Sequence, residues 1–279
     1  TVMTDPDGDR CGLAYLSSKG TYERLTGNQS AALLMEYLFG ERKRKGILSE
    51  NGAMYDTIVS SDLGRKIARA YGLKNECFLT GFKYIGNRID YYEKKGYGPK
   101  FEFGYEESYG CIIQPFVRDK DGLQAILLYS EMALYYFNQG IPLDVAYENL
   151  EKKYGYHMTI TKSVEFFGSS GASEMQKIMD KAHANPPTEV DGMKVVIIED
   201  YAKLKKVDLR TNEVTDLDYD KSEVVRIIFE DSSWIAIRPS GTEPKCKFYV
   251  EVFQKDGVGL KERTEHLIAT LLNLLGVKA

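Results

Sequence analysis

Asp5-Pro6-Asp7-Gly8-Asp9-Arg10 sets three carboxylates at alternate positions, separated by Pro and Gly and closed by an arginine. Two such charges roughly 4 Å apart repel by about 4 kcal/mol at an effective dielectric of about 20. A folded loop that gathers three of them calls for a cation. Mg²⁺ suits the pattern, because it takes hard oxygen ligands and keeps positions for water or phosphate. The plainer alternative is a solvated acidic turn.

Counting disposes of one neighbouring motif and demotes another. An EF-hand loop needs Gly at its sixth position and Glu at its twelfth, and these are Arg10 and Leu16. The Asp-x-Asp-Gly opening of aspartyl-phosphate hydrolases fits loosely and would make Asp5 a nucleophile. That opening usually continues with Thr or Val, whereas Asp9 follows here.

Three further stretches carry chemistry. In Arg238-Pro239-Ser240-Gly241-Thr242-Glu243-Pro244-Lys245, with Lys247 nearby, the arginine fork, two hydroxyls and a glycine backbone make a plausible phosphate clamp. A tight hairpin with solvated charges is the alternative. Glu106, Glu107 and Ser108 resemble a hydroxyl-reading loop, since carboxylates accept hydrogen bonds from vicinal sugar hydroxyls. A glycosidase-type acid/base pair is disfavoured there, because adjacent strand residues point apart. Lys83 is a candidate proton shuttle on a loop, a role lysine takes when burial or nearby cations lower its pKa. No nucleophile stands out. Ser17, Ser18, Ser169 and Ser170 lie in polar turns, and His157, His183 and His266 read as structural.

The elements that must position these loops follow from periodicity. A short apolar run over Cys11–Tyr15 precedes a helix from about Asn28 to Phe39, and Arg42–Lys45 reads as its solvated basic end. Met54–Val59, Cys77–Thr80 and Lys100–Phe103 read as strands. Between them lie a helix capped by Asp62 and a helix over Ile85–Lys94, an alternation that predicts βαβ units and a largely parallel sheet. Ligands of such sheets gather after the strands' carboxyl ends. Helices follow over Leu123–Asn138 and Leu143–Tyr154. The first is apolar on most sides and reads as a core helix. A helix over Ser173–Ala184 ends at Asn185-Pro186-Pro187, where the domain boundary is expected. Strands at Val195–Glu199, Val224–Glu230, Trp234–Arg238 and Lys245–Phe253, then a helix to Leu275, predict a small α+β domain with a mostly antiparallel sheet.

The chain has 279 residues, enough for about two domains. A net charge of −4 argues against a broad nucleic-acid surface. No apolar run approaches the roughly 20 residues of a membrane span. Cys11, Cys77, Cys111 and Cys246 lack metal-ligand spacing and read as reduced thiols of a cytoplasmic protein. Thr1-Val2-Met3 reads as the end of a strand, so a piece of a longer protein is expected.

Taken together, TDPDGDR (Thr4–Arg10), TGFKYIG (Thr80–Gly86), GYEESYG (Gly104–Gly110) and RPSGTEPK (Arg238–Lys245) resemble, in order, the four loops of the α-D-phosphohexomutases. The likeness covers essentially the whole chain. The middle loops are most similar to the bacterial α-phosphoglucomutase branch, and next to phosphopentomutases. Tyr105 stands where animal members have Gly, which leaves the choice between hexose and pentose open.

The resemblance implies that residues 1–28 are the tail of a second domain, 29–187 a third domain of α/β type, and 188–279 a fourth of α+β type. It implies Mg²⁺ on Asp5, Asp7 and Asp9, with Lys83 and Arg10 as catalytic residues. Glu106 and Ser108 would read the sugar, while Arg238, Ser240, Gly241, Thr242 and Lys247 would hold the phosphate. It further implies a glucose 1,6-bisphosphate intermediate and a phosphoserine from a Ser-His-Asn-Pro motif. That motif does not occur in this chain. N-terminal domains of the same enzyme and sugar phosphates are therefore the expected partners, with no nucleic acid or membrane. Inactivity of this chain alone and weak metal binding are also expected. Phosphomannomutase or phosphopentomutase activity and a non-catalytic sugar-phosphate-binding module are the alternatives.

Overall fold

The computed structural model describes residues 1–168, 170–240 and 243–277, and the chain divides into two compact units, Thr1–Gly155 and Tyr156–Ala279.

Unit 1 opens on an antiparallel three-stranded sheet of β1 (Val2–Thr4), β2 (Cys11–Leu16) and β3 (Tyr22–Arg24). Helix α1 (Gly27–Arg44) follows, its start fixed by a capping box in which Thr26 and Gln29 exchange side-chain and backbone hydrogen bonds. Then come β4 (Gly52–Thr57), α2 (Asp62–Ala70), β5 (Lys74–Phe78), α3 (Phe82–Lys95), β6 (Lys100–Tyr105) and β7 (Cys111–Ile112). They form a sheet of order β5-β4-β6-β7 that is parallel except at β7. Every residue of β4 is buried, as a central strand covered on both faces requires. Ser61, not Asp62, caps α2: its hydroxyl accepts from the Leu63 N–H, while Asp62 is the first helical residue and pairs with Arg65.

Helices α4 (Gly122–Asn138) and α5 (Leu143–Tyr154) complete the unit. The expectation of a core helix for α4 is half right. Ala125, Leu128, Tyr129 and Met132 are buried, but Leu123, Leu127, Leu134 and Phe137 are exposed. On α5, burial and then the charge of Glu148 push the Glu151 carboxyl from 4.5 up to about 7. The folded chain therefore keeps a proton that the unfolded chain has lost, and stability falls as pH rises through that window. Glu151→Gln is expected to raise the urea midpoint at pH 8 by the equivalent of about 1 kcal/mol, discounted for partial exposure, and to change little at pH 4.

Unit 2 comprises β8 (Tyr156–Glu165), α6 (Gly171–Ala184), β9 (Glu189–Val190), β10 (Met193–Asp200), β11 (Lys205–Asp208), β12 (Glu213–Asp216), β13 (Val225–Phe229), β14 (Trp234–Pro239), β15 (Lys245–Gln254) and α7 (Leu260–Leu275). The sheet is antiparallel, in the order β12-β11-β10-β13-β14-β15-β8, with β9 beside β10. Its core packs Ile235, Ile237, Phe248 and Val250 against Leu267 and Leu271 of α7 and against Ile178 and Met179 of α6.

The boundary thus falls at Gly155/Tyr156 rather than at 187/188. Strand β8 pairs with β15 from Tyr156 to Glu165, and α6 shares the β15 core, so both belong to unit 2. Pro186-Pro187 lies in a connection inside that unit. Likewise, residues 1–28 do not stand apart: Cys11, Leu13 and Leu25 share one core with α1, α4 and α5.

Candidate active site

The acidic loop joins β1 to β2. Gly8 turns it with φ 72°, and the Asp5 carboxylate accepts from the Arg10 N–H at 3.2 Å. One carboxylate oxygen from each of Asp5, Asp7 and Asp9 lies within 4.8 Å of the others. The Asp9 Oδ1 is buried without a hydrogen-bond partner. An orphaned buried carboxylate oxygen inside a cluster of hard donors fits a magnesium ion. Asp5 is pushed up by partial burial, but the Arg10 N–H and guanidinium outweigh this and hold it below its ordinary value.

The acidic loop is tied to the Gly104–Gly110 loop. Arg10 bridges to Gly110 in antiparallel fashion, and the Cys11 N–H donates to the Tyr109 carbonyl at 3.2 Å. The Arg10 guanidinium stands between carboxylates, 4.0 Å from Asp5 and 3.9 Å from Glu106. Glu106 is buried at the end of β6, and its N–H donates to the Gly110 carbonyl at 2.9 Å. Ser108 is half-buried, and Tyr109 holds φ 71°, an uncommon conformation for a bulky residue. Gly27 lets this loop settle on α1, because a Cβ there would lie 2.1 Å from the Glu107 carbonyl oxygen.

Lys120 is the residue that sequence reasoning missed. Its Nζ lies 3.2 Å from Asp9 and 3.0 Å from Asp119. Burial pulls its pKa down, but the bond to Asp119, the charge of Glu106 and the contact with Asp9 outweigh that and hold it above the ordinary lysine value. The dense charge of Arg118-Asp119-Lys120-Asp121 before α4 was the available signal. Asp121 caps α4, and the Gly122 N–H donates to the Gly8 carbonyl at 3.2 Å, so the helix start braces the acidic loop.

Lys83 is not on a loop as expected. It lies in the first turn of α3, exposed, with its Nζ 4.9 Å from the Tyr84 ring centroid. Its neighbour Phe82 lies under the Lys120 ammonium, 5.4 Å from it.

In unit 2, Arg238 on β14 is directly opposite Lys247 on β15, which is directly opposite Ser163 on β8. Like charges in direct cross-strand register repel. The neighbouring Lys245 is matched by Glu165 at 3.6 Å, whereas Arg238 and Lys247 have no carboxylate within ion-pair distance among the described residues. An anion would offset that repulsion. The Ser240 N–H donates to the Lys245 carbonyl at 2.7 Å and closes the hairpin. Gly241 and Thr242, also expected in the clamp, lie outside the described residues. The three histidines each meet a carboxylate, His157 with Glu251, His183 with Asp200 and His266 with Asp191, in keeping with structural roles.

Comparison with known proteins decides what these loops belong to. Residues 26–154 match the family described as "Phosphoglucomutase/phosphomannomutase, alpha/beta/alpha domain III", and residues 179–260 match its C-terminal domain. The chain belongs to the phosphoglucomutase/phosphomannomutase family. Among phosphoglucomutases, that of Staphylococcus epidermidis is 38% identical over 251 residues, which are 90% of this chain and 44% of that protein. One from Staphylococcus aureus is 36% identical over 255 residues, with the same shares. The chain therefore spans less than half the length of these relatives. The open form of parafusin from Paramecium superposes with a TM-score of 0.68 at 21% identity, over 99% of this chain and 44% of that one. A putative phosphomannomutase from Thermus thermophilus gives 0.62 at 19%, over 99% and 45%. At those identities the superpositions establish the shared fold of the phosphoglucomutase/phosphomannomutase family. No helix among the described residues is long and apolar enough to cross a membrane.

Proposed function

We propose that this chain supplies the metal, sugar and phosphate loops of a phosphosugar mutase interconverting glucose 1-phosphate and glucose 6-phosphate. The observation that carries this reading is the joining of the carboxylate cluster to Glu106 through Arg10 and Lys120. It sets three carboxylates beside the buried Glu106, which supports reading them as a divalent-cation site next to a hydroxyl-reading carboxylate, the pair of functions that phosphoryl transfer to a sugar needs.

Asp5, Asp7 and Asp9 would hold Mg²⁺, which supplies charge stabilisation for the transferring phosphoryl group. Glu106 and Ser108 orient the accepting sugar by hydrogen bonds to its hydroxyls. Lys83 would be the proton shuttle for the attacking hydroxyl, a role that needs the bound substrate to enclose its side chain, which is exposed at the start of α3 in this chain. Arg10 and Lys120 fix the carboxylates and balance their charge. Arg238, Ser240 and Lys247, with Gly241 and Thr242, bind a phosphate dianion. The serine nucleophile would come from outside this chain, with glucose 1,6-bisphosphate as the intermediate and the chain inactive alone. All four cysteines are thiols outside any disulfide, in keeping with the cytoplasm as the compartment. The alternative with Asp5 as nucleophile loses ground, because the Asp5 carboxylate is already held by Arg10 and shares its cluster with Asp7 and Asp9.

Calorimetric titration separates sugar reading from plain anion binding. Glu106→Gln is expected to weaken glucose 6-phosphate about tenfold, the worth of one charged hydrogen bond, and to leave inorganic phosphate unchanged. Equal loss for both ligands, or none for either, would overturn the assignment of Glu106 to the sugar.

A further inference from the structure

Helix α4 is apolar on two faces, and among the described residues only one of them is packed into a core. Ala125, Leu128, Tyr129 and Met132 enter the unit 1 core. On the opposite side Leu123, Leu127, Leu134 and Phe137 are 76%, 64%, 58% and 79% exposed. Phe116 and Ile47, at 75% and 59%, continue the patch beside the helix, and Tyr135 adds 40%. Scattered exposed leucines need no explanation, but a contiguous stripe of this kind marks an interaction surface.

We infer that this face is the two-fold interface between two copies of the chain. Three features of the stripe support that occupant. With Ser130, the exposed stripe runs 123, 127, 130, 134, 137, alternating steps of four and three, which is the heptad seam of a helix meeting another helix. The stripe is also self-complementary. In an antiparallel pair centred on Ser130, Leu123 meets Phe137 of the second copy, Leu127 falls within one residue of Leu134, and the small serines meet where the helices approach most closely. Finally, α4 carries a single charge, Glu131, and that residue lines a groove of about 410 Å³ together with Arg42 and Lys45. Pairing therefore brings together no like charges without a cation at hand.

The area is sufficient. At roughly 200 Å² per large apolar side chain, the exposed fractions leave about 900 Å² per copy, against the roughly 800 Å² that each partner contributes to a standard interface. The inference is independent of the proposed activity, because no residue of the stripe belongs to the loops assigned to it.

Sedimentation equilibrium of the whole chain tests it. At micromolar concentration the chain is expected at twice its monomer mass. The double substitution Leu127→Glu with Leu134→Glu is expected to raise the dissociation constant at least a hundredfold. Both positions are exposed and Glu is a good helix former, so circular dichroism and the melting curve should stay unchanged. Ser130→Cys is expected to give a covalent dimer under mild oxidation, and Leu123→Cys is not, because only position 130 meets itself. A chain that stays monomeric at 100-fold higher concentration overturns the inference, whether the stripe then binds another protein or none. So does a dimer that the double substitution leaves intact.

Discussion

Arg65→Met is expected to lower the stability of unit 1 by about 3–5 kcal/mol, the usual cost of removing one member of a buried ion pair. Arg65 reaches Asp56 at 2.6 Å through Nε, Asp62 at 2.5 Å and the Thr57 carbonyl at 2.8 Å. The Asp56 side chain is fully buried. Without the guanidinium, Asp56 keeps the Asn75 amide, at 3.2 Å, and the weakly donating Cys77 thiol as its side-chain partners. For a unit of this size, each kcal/mol is worth about 2–4 °C of melting temperature, so a fall of about 10 °C follows.

The pH dependence gives this prediction a second readout. Burial already pushes the Asp56 carboxyl up, against the pull of Arg65. In the variant the folded pKa rises further above the unfolded one, so the folded state binds more protons. Stability is then lost as pH rises, and the defect is expected to be largest near neutrality and to shrink toward pH 4. Arg65→Lys should rescue only in part, because a single ammonium cannot reach three acceptors as the planar fork does. A melting temperature within 2 °C of the parent at pH 7 would show that Asp56 does not need Arg65.

The second large effect concerns Arg238. Arg238→Gln is expected to weaken inorganic phosphate binding about 10- to 100-fold, the equivalent of about 1.5–3 kcal/mol for hydrogen bonds to a charged group. It is expected to move stability the other way. Removing one of two cations in direct register relieves a repulsion worth about 0.2–1 kcal/mol, so the phosphate-free chain should melt slightly higher. Added salt should erase that gain by screening the repulsion in the parent. Lys247→Met should show both effects. Loss of phosphate affinity with loss of stability would mean that Arg238 is structural, and that the pair is not an anion clamp.

How far the sequence carried these assignments differs from element to element. The βαβ alternation from β4 to β6 was legible because a buried parallel strand and an amphipathic helix carry different periodicities. Strand β8 was not assigned, although its Thr159-Ile160-Thr161 run is β-branched. It lies at the sheet edge, where one side faces solvent and the apolar signal is diluted. Missing it moved the boundary, since Pro186-Pro187 reports a local break in the chain and nothing about packing. For α4 the error had the opposite sense. Apolar residues all round read as burial, but a helix buries only the faces for which the fold provides neighbours.

The acidic loop shows where the division lies. By itself the sequence determined residue type and order: three alternating carboxylates, the two glutamates of the later loop, the basic hairpin, and the family to which all of them point. Local chemistry also fixed the turn at Gly8 and the cap at Asp121, because short-range geometry depends on adjacent residues. Only the tertiary structure decided that Arg10 meets Glu106, that Lys120 stands between Asp9 and Asp119, and that Arg238 opposes Lys247. Those contacts depend on strand register and on α4 packing beneath the loop, which are set by many weak contacts at once and leave no mark on any single residue.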